Sequence, residues 1–257
     1  MTAIRVDAGR CWSWIVEGWK LFAQAPGIWI LLLLIYLTIL VVLSLIPFVG
    51  TLTHVLLNPL LIGGMLYGAA AQARGKPLEI AHLFQGFQDP ERMGQLVVIG
   101  TISVACYMLI KLVVLVLLGG GALTGVALDT METNIAPNAI GVLFIGACLI
   151  MLLIAITVGM LTTMALFYGI PLVILGGQNA WPAAQDSVTA CWINMLPMLV
   201  LGLIYLVLIV LAALPLGLGF LVLGPVTICA MYASYREIFE GSPASINLDK
   251  RMRATTR

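Results

Sequence analysis

Charge is what this sequence has least of. Only 9% of its 257 residues are charged and 62% are hydrophobic, where ordinary soluble domains carry about 25% charged residues. A water-soluble core protein is excluded. Twelve Lys and Arg against eleven Asp and Glu leave a net charge of +1, far from the basic footprint that nucleic-acid binding needs, so no such partner is expected. Cysteine is sparse and scattered: Cys11, Cys106, Cys148, Cys191 and Cys229 form no close pair. They read as small packing residues, neither a disulfide framework nor a zinc site. A phosphate loop, a dinucleotide fingerprint after a strand, a metalloprotease helix and a one-sided Ser-His-Asp set are all missing. The chain is expected to be no enzyme and to carry no cofactor.

What is present is apolar length. Six runs, 26–46, 51–73, 94–118, 139–175, 195–213 and 218–233, stand against the ~20 residues that a spanning helix needs. The first starts too late and is too long for a cleavable signal peptide, and is expected to stay as an anchor. The fold class expected is all-α: a polytopic six-helix transmembrane bundle over 1–241 with short amphipathic interfacial helices. A basic tail, 242–257, is expected to be disordered. The fourth run is read as one long span that Gly169 and Pro171 end or bend. Gly119 to Asn138 reads as a connecting loop, with Gly119-Gly-Gly as a turn.

One unit occurs twice, at 10–73 and 181–239. In each, an amphipathic lead-in precedes an apolar run, a Pro-Gly turn and a second run. Pairing Pro26 with Pro197, Tyr36 with Tyr205, Pro47 with Pro215, Pro59 with Pro225 and Tyr67 with Tyr232 gives, by subtraction, offsets of 171, 169, 168, 166 and 165. That drift suggests a parallel internal repeat.

The first lead-in sets Trp12, Ile15, Val16, Trp19 and Phe22 at helical spacing against Arg10, Ser13, Glu17, Lys20 and Gln24. This is an interfacial helix with its aromatics at headgroup level. The second lead-in adds Ala184, Val188, Cys191, Trp192 and Met195, and Trp181 and Trp192 are its interface aromatics. Between spans, 74–93 is polar and suggests a surface helix burying Leu78, Ala81, Phe84 and Phe87. In the second run, Pro59 breaks the ladder of hydrogen bonds, and Gly64 and Gly68 form a small-xxx-small spacing that admits a close neighbour, in the same chain or another.

Six spans with both termini cytoplasmic put every Lys and Arg except Lys111 inside, including Arg5, Arg10, Lys20, Arg74, Lys76, Arg92, Arg236 and the tail. Asp129 and Glu132 lie outside. This is a positive-inside pattern with both termini cytoplasmic. His54 and His82 then lie on opposite faces and share no metal. Lys111 is the one charge within an apolar run, where insertion costs ~3 kcal/mol. It either snorkels toward Asp129 or Glu132 or contacts a lipid phosphate or substrate. Lys111, His54 and Asn58 are the candidate ligand-binding residues. Membrane lipids are the expected partners, with anionic inner-leaflet lipids near the basic tail, and a protein partner or a second copy is the further candidate.

Some stretches resemble known proteins. Trp181-Pro-Ala-Ala-Gln-Asp-Ser187, followed by a hairpin ending Tyr232-Ala-Ser-Tyr-Arg236, resembles the YciC-like inner-membrane proteins. It is also similar to the membrane domain of some glycerophosphodiester phosphodiesterases. Trp12-Ser-Trp-Ile-Val-Glu-Gly-Trp-Lys-Leu-Phe with Pro26, and His82-Leu-Phe-Gln-Gly-Phe87, resemble the BPSS-type family of proteobacterial membrane proteins over nearly the whole chain. The resemblance implies a helical protein of the bacterial inner (cytoplasmic) membrane and carries no activity, since the phosphodiesterase catalytic domain is missing. Two functions are expected as alternatives: a non-enzymatic envelope scaffold or accessory subunit, and a lipid or small-apolar-solute handling protein or permease.

Overall fold

The computed structural model of the chain describes residues 2–46, 49–130 and 137–241. Within the helices it leaves aside the side chains of 49, 51, 52, 54, 55, 118, 120–130 and 137–145. The expectations for the tail, Glu132, and the side chains of His54 and Asp129 fall outside the described residues. Among the described residues every regular element is helical. The long ones are α1 (Arg10–Gln24), α2 (Pro26–Ser44), α3 (Val49–Ala73), α5 (Pro90–Thr130), α6 (Pro137–Ile174), α7 (Ala180–Ile193), α8 (Met195–Ala213) and α9 (Phe220–Tyr235). A 3-10 turn (Ile80–Phe84) and the short α4 (Gln85–Gln88) connect α3 to α5.

Four helices are long and apolar enough to cross a membrane: α2, Pro90–Leu117 of α5, Gly146–Ile174 of α6, and α8. The chain is therefore helical and multi-pass in character. The other two expected spans are weaker. α9 has 16 residues, about 24 Å at 1.5 Å per residue. α3 is 25 residues long, but Asn58, Pro59, the glycine pair and Gln72 dilute its apolar content.

The chain divides into two compact units, Met1–Gly100 with Met164–Arg257, and Thr101–Thr163. In the second unit, the middle parts of α5 and α6 meet at Gly159, where an added Cβ would lie 3.8 Å from Ile110. α5 overruns the sequence expectation, while α6 follows the expected run closely. Gly119, taken as the start of a turn, lies inside α5, because the apolar run before it carries the helix through. Pro171 does not end α6, which continues to Ile174.

In the first unit the same plan appears twice at a fixed shift. A 15-residue α1, a break at Ala25 and a 19-residue α2 are matched by a 14-residue α7, a break at Asn194 and a 19-residue α8. Ala25 and Asn194 are 169 positions apart, as are Pro26 and Met195, and Ser44 and Ala213. Buried positions keep that shift: Cys11 and Ala180, Trp14 and Ala183, Gly18 and Ser187, Phe22 and Cys191, then Leu60 and Cys229, Leu66 and Tyr235. Turn glycines keep it too. A Cβ on Gly50 would overlap the Leu43 carbonyl, and one on Gly219 would lie 2.5 Å from Cα of Ala212, the residue 169 beyond Leu43. The register is constant and does not drift. Of the pairs expected from sequence only Tyr36 with Tyr205 lies on it, because the buried face is repeated and the prolines are not.

Burial is uneven along the hairpins. Trp29, Leu32 and Leu33 are buried and residues 34–46 are not; Pro197 and Leu201 are buried and residues 202–211 are not. On the returning helices, core burial is continuous only from Pro59 in α3 and from Pro225 in α9. The packed core thus sits at the end where the chain enters and leaves the hairpins.

At that end the glycines of α3 receive the connecting segment of the same chain. A Cβ on Gly64 would overlap the Leu83 carbonyl, and one on Gly68 would lie 2.8 Å from Leu78 Cδ1. The approaching backbone is the 3-10 turn, not a spanning helix. That turn also corrects the expected surface helix: Leu78, Leu83 and Gly86 are buried, while Ala81, Phe84 and Phe87 are exposed. A 3-10 turn has three residues per turn, and a capping box between Glu79 and His82 starts it, so a face reckoned at 3.6 lands on the wrong residues.

Candidate functional site

The polar chemistry of the first unit gathers where α1 crosses α9. Gly18 is the reason α1 can lie so close: a Cβ there would be 2.7 Å from the Ala230 nitrogen and 2.8 Å from the Val226 oxygen. Around this contact α1 presents three faces. Cys11, Trp14, Ile15, Gly18 and Phe22 are buried. Trp12, Val16 and Trp19 line an apolar groove of about 500 Å³ with Leu208, Leu211 and Leu223. Glu17, Lys20 and Gln24 line a polar cleft of about 170 Å³ with Gln72, Tyr232 and Arg236.

The crossing is fastened by charge. α9 runs into a π turn, Arg236–Glu240, a geometry that often marks special sites. Its first two residues, of opposite sign, both reach α1. Glu237 accepts from Arg10 Nε at 2.7 Å, Arg10 Nη2 at 3.1 Å and Trp14 Nε1 at 2.7 Å. Arg236 Nη2 donates to Glu17 Oε2 at 2.8 Å. The hydrogen bond to Glu237 raises the Arg10 guanidinium above its usual range despite burial, so it stays charged at any pH a membrane tolerates. Nearby, the Cys11 thiol donates to the Pro197 carbonyl at 3.0 Å, and burial pushes it upward; it is a packing group, not a nucleophile.

Other buried polar groups act as fasteners in the same way. Gln72 accepts from Trp29 Nε1 and donates to the Leu21 carbonyl. Asn194, fully buried, accepts from the Val6 N–H and donates to the Ile4 and Ala190 carbonyls, while the Ile4 N–H donates to Ile238. The amino-terminal segment is thus pinned onto the α7–α8 break and the end of α9. Ser187, the counterpart of Gly18, donates to the Met164 carbonyl and accepts from the Tyr168 N–H.

Asn58 is already engaged: its Oδ1 accepts from the Tyr36 hydroxyl at 2.7 Å, which ties α2 to α3. Lys111 belongs to the second unit, is exposed, and holds its Nζ 5.5 Å from the centroid of the Tyr107 ring, one turn back on the same helix. Asn58 lines neither the cleft nor the groove. Trp12, Trp19, Trp181 and Trp192 are all more than half exposed, whereas Phe22 is 5% exposed. Phe22 is a correction: it packs in the core, with its ring 5.6 Å from that of Trp19, because it shares the face of Gly18.

Sequence reasoning passed over Lys20, Gln24, Gln72, Tyr232 and Arg236, which converge on the cleft. A signal existed in the repeat itself, since Lys20 and Gln24 correspond at a shift of 169 to Thr189 and Ile193. Among the described residues no group of His, Cys, Asp and Glu could hold a metal ion. The cleft offers two cations, two amides, a phenol and one carboxylate, Glu17, which is bonded to Arg236. No protein-family model, curated protein or solved structure matches the chain.

Proposed function

We propose that this chain is a bacterial inner-membrane protein with six spans and both termini in the cytoplasm, acting as a non-enzymatic envelope scaffold or accessory subunit. The observation that carries the reading is where the polar contacts are used. Glu237, Gln72, Asn58 and Asn194 join one helix or segment to another, and the distal halves of the hairpins are left as apolar surface for lateral neighbours. The topology is supported by Arg10, Lys20 and Arg236 sharing one end of the first unit, and by Arg92 donating there to the Ile174 carbonyl. Counting α3 and α9 as spans returns the chain to that end after each hairpin.

A second reading, lipid or small-apolar-solute handling, is favoured by one feature, the groove beneath Trp12 and Trp19. Native mass spectrometry of the protein released gently from its own membranes separates the two. A persistent protein partner supports the scaffold reading. Co-purified lipid without a protein partner, lost when Trp19→Ala opens the groove, supports the second; a bare monomer overturns both. Reporter fusions test the topology: a cytoplasm-active reporter must be active at Gly241, and an export-dependent one after Thr130.

A further inference from the structure

The cleft between α1, α3 and α9 holds more polar groups than the helix-joining contacts of the scaffold reading use, and its composition is specific. Lys20 and Arg236 bring two positive charges to its rim and Glu17 one negative. Among the described residues Lys20 forms no ion pair, the pairs being Arg10 with Glu237, Arg92 with Asp89, and Arg236 with Glu17. The floor is Gln72 and Tyr232, 7% and 6% exposed. Gln72 has spent its oxygen and one N–H on Trp29 and Leu21, which leaves one amide N–H. With Arg236 paired to Glu17, Lys20 is the lining cation left without a counter-charge, and an anion in the cleft would supply it.

We propose that this cleft binds a phosphate group, and that the group is the headgroup phosphodiester of a membrane phospholipid. Three observations point there. First, the cavity of about 170 Å³ admits a group of four oxygens at about 30 Å³ each, the share of a water molecule. Second, the cleft lies at headgroup level: Lys20 precedes the start of the α2 span by six residues, and Gln72 is in the last turn of α3. Leu21, Ala73 and Ala233 give it the apolar wall that a lipid's glycerol end requires and a free ion does not. Third, the fold does not ask for Lys20 and Gln24. The second copy of the unit has Thr189 and Ile193 where the first has Lys20 and Gln24, although the breaks, helix lengths and buried faces match.

The full-length protein in detergent is titrated with dioctanoyl phosphatidylglycerol, dioctanoyl phosphatidylcholine and inorganic phosphate, with binding read by thermophoresis and folding by circular dichroism. Phosphatidylglycerol is expected to bind most tightly. Lys20→Thr, which installs the residue of the second copy, weakens it about fivefold, the effect of one basic group near an anionic headgroup. Glu17→Gln tightens it, because a like charge leaves the rim. Gln24→Ile provides an uncharged second variant, expected to weaken all phosphate ligands alike. Unchanged affinity in folded Lys20→Thr, or weaker binding in folded Glu17→Gln, overturns the site. Inorganic phosphate bound as tightly as the lipid overturns the lipid as the source and leaves the phosphate chemistry standing.

Discussion

Trp14 holds its indole nitrogen 2.7 Å from Oε2 of Glu237, 223 residues further along the chain. The same carboxylate takes two donors from Arg10. One acidic side chain thus fixes the amino-terminal helix to the end of the last one.

Glu237→Ala leaves the buried Trp14 N–H without an acceptor and Arg10 without its counter-charge. Arg10 keeps 41% of its side chain exposed, so water recovers part of the loss. A destabilisation of about 2–3 kcal/mol is expected, read as a lowered unfolding temperature in detergent. Arg10→Lys keeps the charge, loses the fork and is expected to cost about 1 kcal/mol. Equal stability of Glu237→Ala and the parent would show that α1 is held by packing alone.

Gly18→Ala places a methyl group against the α9 backbone, which has no flexible end to yield. A cost of about 2–3 kcal/mol is expected from overpacking. Gly27, where a Cβ meets nothing within 4 Å, is the matched control, and Gly27→Ala is expected to be neutral or slightly stabilising in its helix. Identical melting of the two variants would mean that α1 does not rest on α9 at this point.

Cys191 lies in α7, outside the spans, and burial pushes its thiol from 9.0 to about 12. A raised thiol pKa means fewer thiolates at every pH below it, here roughly a thousandfold fewer near pH 8, and the thiolate is the reactive form. Maleimide labelling of a variant that keeps only Cys191 is expected to be negligible at pH 7–9 in the folded protein and complete after denaturation. Rapid labelling of folded protein would show that α7 is not packed as described.

Leu216 is the one described residue other than glycine with positive φ, at 54°, and it is 98% exposed at the tip of the α8–α9 turn. The left-handed conformation costs an L-residue with a branched side chain about 1–2 kcal/mol, and Asn tolerates it better. Leu216→Asn is expected to stabilise the protein by up to ~1 kcal/mol in a thermal unfolding series. A loss of stability would mean that Leu216 anchors the turn in the lipid.

Apolar run length, read from the sequence, yields four of the helices that can cross a membrane, because burying a backbone in lipid demands unbroken helix and apolar side chains over a set length. It does not assign α3 and α9, whose polar or short sequences depend on neighbours. Nor does it separate the faces of α1. Trp12, Trp14, Trp19 and Phe22 are alike in hydrophobicity, yet Trp14 and Phe22 are core and the others are surface, since the choice turns on Gly18 meeting the α9 backbone.

The cleft is the clearest case of what only tertiary structure decides. Lys20, Gln72 and Arg236 lie in separate helices, and each by itself is an ordinary polar residue near a span end. Chain composition determined that this protein is helical and belongs in a membrane, because the solvation of a long apolar helix is a local property. The constant shift of 169, the carboxylate shared by Arg10 and Trp14 and the converging cations depend on which surfaces meet. Packing selects those surfaces by shape and hydrogen-bond geometry, and neither is carried by hydrophobicity along one chain.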